Sequence, residues 1–128
     1  MSENMSQRFA EALQQTERTG DVEPVSQLFA EDASLSSPER DVHKQGRQGI
    51  REFWQSYLDS FDTVRSEFRT LREADGLCVL EWDSEVSWKQ GNQTSYRGAT
   101  VLEVQNDQVQ RFATYYDTAA LEQLKRSA

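Results

Sequence analysis

Cysteine and histidine are almost missing from this chain of 128 residues, which has one of each, Cys78 and His43. A single cysteine cannot close an internal disulfide, and this pair cannot supply the four protein ligands of an ordinary structural zinc site. The sequence also has no apolar run near the roughly 18 residues that a membrane-spanning helix needs. We therefore expect a fold that depends on no disulfide, structural metal or membrane.

Basic charge is also scarce. Fourteen Lys and Arg stand against 22 Asp and Glu, which gives a formal net charge of −8. Because nucleic acids and anionic membranes bind basic surfaces, this balance argues against both as partners. The first residues have neither the basic start nor the apolar stretch of a secretion signal, so a cytoplasmic location is expected.

The chain is well supplied with aromatic residues, with three Trp, four Tyr and six Phe. This content is typical of a folded domain rather than a disordered one. We find no repeat, linker or low-complexity segment. The length and the even composition predict one domain over residues 1–128.

The first half of the chain has helical periodicity. Met5, Phe9 and Leu13 mark one helix that Gly20 would end, and Asp21 would cap a short second helix. A short strand is predicted over 32–35 and a loop over 36–47. The strongest helical stripe begins at Ile50 and ends at Phe61.

From residue 63 onward the hydrophobic period changes to two. The predicted strands cover 64–73, 77–88, 95–104 and 108–116, with turn signals at 75–76, 91–92 and 106–107. A last helix is predicted over 118–126. Connections this short favour an antiparallel sheet, and the overall pattern predicts an α+β fold with the helices packed on one face of a curved sheet.

Three carboxylates share one face of the second of these strands, namely Glu81, Asp83 and Glu85. Two interpretations are open. The acids face water or pair with arginines of neighbouring strands, or they line a pocket where crowding and desolvation raise their pKa values. The opposite face carries bulky apolar residues, Leu80, Trp82, Val86 and Trp88.

Three segments resemble the nuclear transport factor 2-like superfamily, and within it the SnoaL-like branch. They are LFAEDA at 28–33, GRQGIREFW at 46–54 and FATYYDT at 112–118. The resemblance implies a cystatin-like, cone-shaped sheet that wraps around the N-terminal helices and leaves an apolar pocket. It also implies a homodimer through the outer sheet face, to which Leu80, Trp82, Val86 and Trp88 would belong.

The resemblance extends to catalytic positions. Asp83 and Asp117 are similar to the two aspartates of limonene-type epoxide hydrolases, whereas Glu81 stands where those enzymes have an arginine. Asp117 also resembles the acid/base of SnoaL-type polyketide cyclases. Glu81, Asp83 and Asp117 are therefore the candidate catalytic residues, although Asp117 is equally suited to capping the last helix.

Trp54, Tyr57 and Tyr115 are the candidate substrate-binding residues, because aromatic side chains on a helix and a strand can line an apolar pocket. The predicted partner is a small apolar organic molecule. One functional interpretation is a cofactor-free isomerase, cyclase or hydrolase that uses the pocket carboxylates. The alternative is a non-catalytic module of the same fold that binds a ligand or a protein.

Overall fold

The computed structural model of this chain describes residues 4–38, 42–88 and 91–118. The helices and strands within these ranges are α1 (Met5–Thr19), α2 (Glu23–Ser26), β1 (Phe29–Ser37), β2 (Val42–Gln45), α3 (Gly46–Asp59), β3 (Thr63–Ala74), β4 (Leu77–Ser87), β5 (Gln93–Gln105) and β6 (Gln108–Tyr116). The helices pack on one face of a curved, unclosed sheet, as the α+β prediction requires.

Helix α1 is fixed at both ends by its own sequence. The Asn4 side chain accepts the backbone N–H of Gln7 at 3.0 Å. At the other end Gly20 has φ 77° and donates its N–H to the Thr16 carbonyl at 2.9 Å. Glycine adopts this left-handed conformation without a Cβ clash, so the predicted stop at Gly20 is confirmed.

The predicted amphipathic helix is α3. Ile50 and Trp54 are buried on its inward side, and Phe53 and Tyr57 pack against the same core. The helix starts at Gly46 and ends at Asp59, so Phe61 lies just beyond it and is buried with Val86 and Trp88.

The six strands form one sheet in the order β2-β1-β6-β5-β4-β3. Strands β3 to β6 make the predicted antiparallel meander. Strand β1, however, lies parallel to β6, so the sheet is mixed rather than wholly antiparallel. The chain reaches this parallel pairing because α3 and four strands separate β1 from β6 in sequence. Strands β2 and β3 are the two edges.

Two hairpins have the tight turns that their sequences indicate. Asp75 and Gly76 have φ values of 53° and 78°, and Asn106 and Asp107 have 53° and 61°. Positive φ at both central residues is the requirement of a type I′ turn, whose twist matches that of the strands it joins. The registers of the β3–β4 pair and of the β5–β6 pair next to their turns thus follow from local turn chemistry.

The predicted loop over 36–47 is wrong in part. Residues 42–45 form β2, which pairs antiparallel with β1 from Ser34 to Ser37, and α3 already begins at Gly46. Strand β2 is a short edge strand whose only strand partner among the described residues is β1. It has no clear alternation of apolar residues from which it could have been predicted. The predicted helix over 118–126 lies, apart from Thr118, outside the described residues.

The core lies between the helices and the inner face of the sheet, by which we mean the face that contacts α1 and α3. Aromatic rings meet there, with centroids 5.8 Å apart for Phe9 and Phe112 and 5.5 Å apart for Trp54 and Phe112. Such contacts are tilted or edge-on, the arrangement that aromatic quadrupoles favour. Across the described ranges, the helices are all too short or too polar to cross a membrane.

Cys78 is fully buried on the inner face of β4. Burial raises the pKa of its thiol to about 12, and the hydrogen bond and charge of Glu73 add to the shift. Because the thiolate is the reactive form, we expect Ellman's reagent near neutral pH to modify the native protein at least about tenfold more slowly than the protein in concentrated guanidinium chloride. Equal rates in the two conditions would contradict this placement of Cys78.

Candidate functional site

A cavity of about 340 Å³ lies between α1, α3 and the inner face of the sheet. This volume is in the range of sites for small organic molecules. All six strands and both long helices contribute to its wall, which consists of Phe9, Leu13, Ser37, Val42, Lys44, Phe53, Trp54, Ser56, Tyr57, Ser60, Phe61, Ser66, Trp82, Ser84, Tyr96, Thr100, Phe112, Thr114 and Tyr116.

Three aromatic rings from neighbouring strands form much of the sheet side of this wall. The ring centroids of Trp82 and Tyr96 are 5.4 Å apart, and those of Tyr96 and Tyr116 are 5.3 Å apart. The rings stand edge to face, so each supports the orientation of the next. This side of the cavity is therefore apolar and shaped by mutual packing.

Gly98 makes the position of the Trp82 indole possible. It pairs with Trp82 across β4 and β5. A Cβ at Gly98 would lie 2.6 Å from Trp82 Cζ2 and closer still to the Tyr115 carbonyl oxygen. The indole thus lies over the bare backbone of Gly98, which is the close approach that glycine within a strand permits.

A carboxylate stands behind one part of the wall. Glu17, on the inner side of α1, accepts hydrogen bonds from the Tyr57 hydroxyl at 2.7 Å, the Ser66 hydroxyl at 2.7 Å and the Ser66 backbone N–H at 2.8 Å. The Ser66 hydroxyl also lies 2.7 Å from that of Ser84. We call these four residues, Glu17, Tyr57, Ser66 and Ser84, the Glu17 cluster.

The Tyr57 phenol stays neutral in this setting. Burial raises its pKa well above the ordinary value, and the negative charge of Glu17 raises it further. A raised pKa favours the protonated form in the folded state. The neutral phenol therefore contributes fully to the free energy of unfolding at neutral pH. This contribution is lost only as the pH rises through the raised pKa of Tyr57.

A second polar chain crosses the sheet. The Trp82 indole N–H donates to Thr100 Oγ1 at 2.9 Å, and Thr100 Oγ1 lies 3.1 Å from Thr114 Oγ1. Thr114 Oγ1 in turn donates to the Ala99 carbonyl at 3.5 Å. Both threonines are buried, so this chain satisfies polar groups that would otherwise be costly in an apolar wall.

Two of the three predicted substrate-binding residues line the cavity, namely Trp54 and Tyr57. Tyr115 does not, because successive strand residues point to opposite faces and Tyr115 lies on the outer one, 57% exposed. Its neighbour Tyr116 occupies the predicted place in the wall instead. The prediction for Tyr115 was wrong by one residue.

The predicted orientation of the acids on β4 is wrong. Glu81 and Glu85 are exposed and Asp83 is half-buried on the outer face, while Leu80, Trp82 and Ser84 alternate with them on the inner face. Asp83 pairs with Arg69 at 2.6 Å and Glu85 with Arg65 at 3.0 Å. The strand thus follows ordinary inside/outside alternation, with the acids in cross-strand ion pairs.

The same inversion applies to the apolar face of β4. Leu80, Trp82 and Val86 are buried inside the protomer, and Trp88 just beyond the strand is buried with them. These four residues therefore cannot form the outer-face contact that was predicted for a homodimer.

Asp117 directly follows β6 and is exposed. The described wall of the cavity ends at Tyr116 on this strand and does not include Asp117. Glu81, Asp83 and Asp117 are thus all outside the described cavity wall, and their catalytic roles remain predictions.

The sequence interpretation missed the Glu17 cluster as a unit. Glu17 continues the buried stripe of Phe9, Leu13 and Thr16 on α1, and an acid at such a position is a recognisable signal. Its partners could not be foreseen, because Tyr57 and Ser66 are 40 and 49 residues away in sequence. Among the described side chains, no group of three His, Cys, Asp or Glu could hold a metal ion.

Solved structures of similar shape share the fold of this chain. An NTF2-like protein from Burkholderia pseudomallei matches 95% of this chain and 98% of its own, with 16% identity and a TM-score of 0.83. TerC, crystallised with polyporic acid, matches 93% and 96% with 20% identity and a TM-score of 0.81. A hypothetical protein from Catenulispora acidiphila with a ketosteroid isomerase-like fold, in complex with trimethylamine, matches 88% of each chain, with 15% identity and a TM-score of 0.79.

These likenesses define the class of protein as an NTF2-like α+β fold, as the sequence resemblance predicted. The sequence model of the SnoaL-like domain matches residues 7–112, and the chain belongs to this family. No match was found among the curated proteins.

Proposed function

We propose that this protein is a cytoplasmic binder of a small, mostly apolar organic molecule, which it holds in the cavity between α1, α3 and the sheet. The observation that carries the proposal is the wall itself, in which aromatic side chains predominate and hydroxyl groups converge at a few points. This combination is typical of small-molecule sites. The complexes of TerC and of the Catenulispora acidiphila protein support it, since both pair this fold with a small organic molecule.

The structure favours ligand binding over acid/base catalysis by the carboxylates that the sequence indicated. General acid/base catalysis needs a carboxyl group within hydrogen-bond reach of the substrate. Glu81 and Asp83 lie on the face of β4 that points away from the cavity, and Arg69 holds Asp83 there. The function that the geometry supports best is therefore that of the ligand-binding alternative.

The test is to block the cavity from its rim. Ser56 lies on the wall at an exposed position of α3, so Ser56→Trp adds an indole there without disturbing the core. We expect phenylnaphthylamine, an apolar dye that brightens out of water, to bind the native protein and to bind Ser56→Trp at least about tenfold more weakly, because tenfold needs the loss of only about 1.4 kcal/mol.

Gln55→Trp is the matched control for this test. Gln55 is the preceding residue of α3, is exposed, and is not part of the described wall. The control variant should bind the dye as the native protein does. Absence of dye binding by the native protein, or equal weakening in both variants, would refute binding in this cavity.

We also propose that the protein forms a homodimer through the outer sheet face, although with other residues than those predicted. Leu77 and Val79 are 46% and 36% exposed on that face, and Val101 pairs with Val79 on the adjacent strand. Exposed apolar neighbours of this kind are common at interfaces between subunits. Light scattering should give the mass of two chains for the native protein and of one for Val79→Lys, whereas a native monomer would contradict the proposal.

A further inference from the structure

The Glu17 cluster has its hydrogens in fixed positions. The Ser66 backbone N–H can only donate, so Glu17 Oε1 is an acceptor at 2.8 Å. A carboxylate has no hydrogen to give, and Glu17 Oε2 therefore accepts from both Tyr57 Oη and Ser66 Oγ, each at 2.7 Å. The hydroxyl hydrogens of Tyr57 and Ser66 thus both point at Glu17 and away from the cavity.

The direction of the next hydrogen bond follows from this. The hydroxyls of Ser66 and Ser84 are 2.7 Å apart, and one of them must donate. Because the hydrogen of Ser66 is already used by Glu17, Ser84 is the donor. Tyr57, Ser66 and Ser84 all line the cavity, and the hydroxyl oxygen of each has only lone pairs left to offer a ligand.

The hydrogen bonds that join Trp82, Thr100 and Thr114 also run in one fixed direction. Trp82 Nε1 can only donate, so Thr100 accepts from it, and Thr100 then donates to Thr114, which donates to the Ala99 carbonyl. Thr100 and Thr114 thus also present lone pairs rather than hydrogens. Other wall residues do carry donors, among them Lys44, the pair of Ser37 and Tyr116, whose oxygens are 3.4 Å apart, and Trp54, whose buried indole N–H has no hydrogen-bond partner among the described residues. The lone-pair surface is thus confined to the part of the wall formed by the Glu17 cluster and the two threonines.

Building on the proposed ligand binding, we infer that the ligand carries an O–H or N–H group which donates to Tyr57 Oη or Ser84 Oγ, so that the cavity selects alcohols, phenols or amines over ketones and ethers of the same shape. A carbonyl oxygen at this position would meet only lone pairs and would lose its hydrogen bonds to water without replacement. For the same reason Tyr57 cannot donate to a developing oxyanion while Glu17 holds its hydrogen.

Glu17→Gln should reverse the polarity of the cluster. The Ser66 backbone N–H keeps the side-chain oxygen of Gln at the Oε1 position, so the amide nitrogen takes the Oε2 position and donates to Tyr57 and Ser66. The Tyr57 hydroxyl hydrogen is then released into the cavity. Ser66 can donate to Ser84, which releases the Ser84 hydrogen as well.

The test uses two probes of nearly equal size, naphthylethanol and acetylnaphthalene, which differ in having an alcohol or a ketone. The affinity of each probe is measured by its displacement of phenylnaphthylamine from the native protein, from Glu17→Gln and from Glu85→Gln. The last is a matched carboxyl-to-amide change on the outer face of β4. A hydrogen bond that one probe makes and the other cannot is worth about tenfold or more in affinity.

We expect the native protein and Glu85→Gln to prefer the alcohol at least about tenfold, and Glu17→Gln to lose or reverse this preference. Equal affinity of the native protein for both probes, or the same preference in Glu17→Gln, would overturn this inference and leave ligand binding intact. Failure of both probes to displace bound dye would place the dye elsewhere and contradict the proposed site as well.

Discussion

Replacing Glu17 with leucine is expected to lower the free energy of unfolding by about 2 to 4 kcal/mol, because each buried polar group that loses its partner costs about 1 to 3 kcal/mol. Three donors depend on this carboxylate, namely the Tyr57 hydroxyl and both the hydroxyl and the backbone N–H of Ser66. The Ser66 side chain is 3% exposed, so water cannot easily take the place of the lost acceptor. Urea unfolding of the native protein and of Glu17→Leu measures this difference in the free energy of unfolding.

Glu11→Leu is the control for this change, because Glu11 lies on the same helix and is exposed. Its effect should stay within about 0.5 kcal/mol, as for most surface substitutions. If both variants lost the same amount of stability, the cause would be the added leucine on α1, and the hydrogen bonds of Glu17 would have no measurable share.

Gly98→Ala is expected to destabilise the fold by about 2 to 3 kcal/mol, the upper part of the range of about 1 to 3 kcal/mol that is usual for atoms forced into a filled interior. The new methyl group would overlap the Trp82 ring and the Tyr115 carbonyl oxygen, and backbone cannot yield as a flexible side chain can. Movement of the indole would also lengthen its 2.9 Å hydrogen bond to Thr100. Thermal unfolding gives the loss of stability, and a blue or red shift of tryptophan emission reports the movement.

Gly49→Ala makes the same chemical change where there is room for it. A Cβ at Gly49 would be 3.5 Å from its nearest neighbour, Lys44 Cβ, and Gly49 lies within α3. Alanine in a helix should be neutral or stabilising by up to about 1 kcal/mol. Destabilisation of Gly49→Ala as large as that of Gly98→Ala would show that the close approach to Trp82 is not the cause.

Most of the fold could be predicted because its signals are local. The stripe of α3, the stop at Gly20 and the paired turn residues Asp75-Gly76 and Asn106-Asp107 act within a few residues of themselves. Strand β2 and the parallel pairing of β1 with β6 escaped prediction, because they depend on backbone partners that are distant in sequence. Such pairings leave no pattern in the segment itself.

The cavity could be predicted in kind but not in detail. Alternation along β4 correctly separated Trp82 from Asp83, yet alternation alone does not say which face is inside. The greater apolar bulk of Leu80, Trp82 and Val86 was the better guide, and it places them in the core and cavity wall. Tyr57 could be predicted as a wall residue because it belongs to the strong apolar stripe of α3. The only sign of Glu17 in the sequence is an acid that continues the apolar stripe of α1.

The edge position of β3 bears on how this protein avoids aggregation. With twelve residues it is a long strand, and its outer margin is where another sheet could pair. Helix α1 covers this margin at Ser66, whose backbone N–H and carbonyl bond to Glu17 and Gln14. The exposed positions of β3 also carry Arg65, Glu67, Arg69, Arg72 and Glu73. A second strand that docked in register would bury several of these charges, so growth of the sheet into a fibril is opposed at the edge where it would otherwise begin.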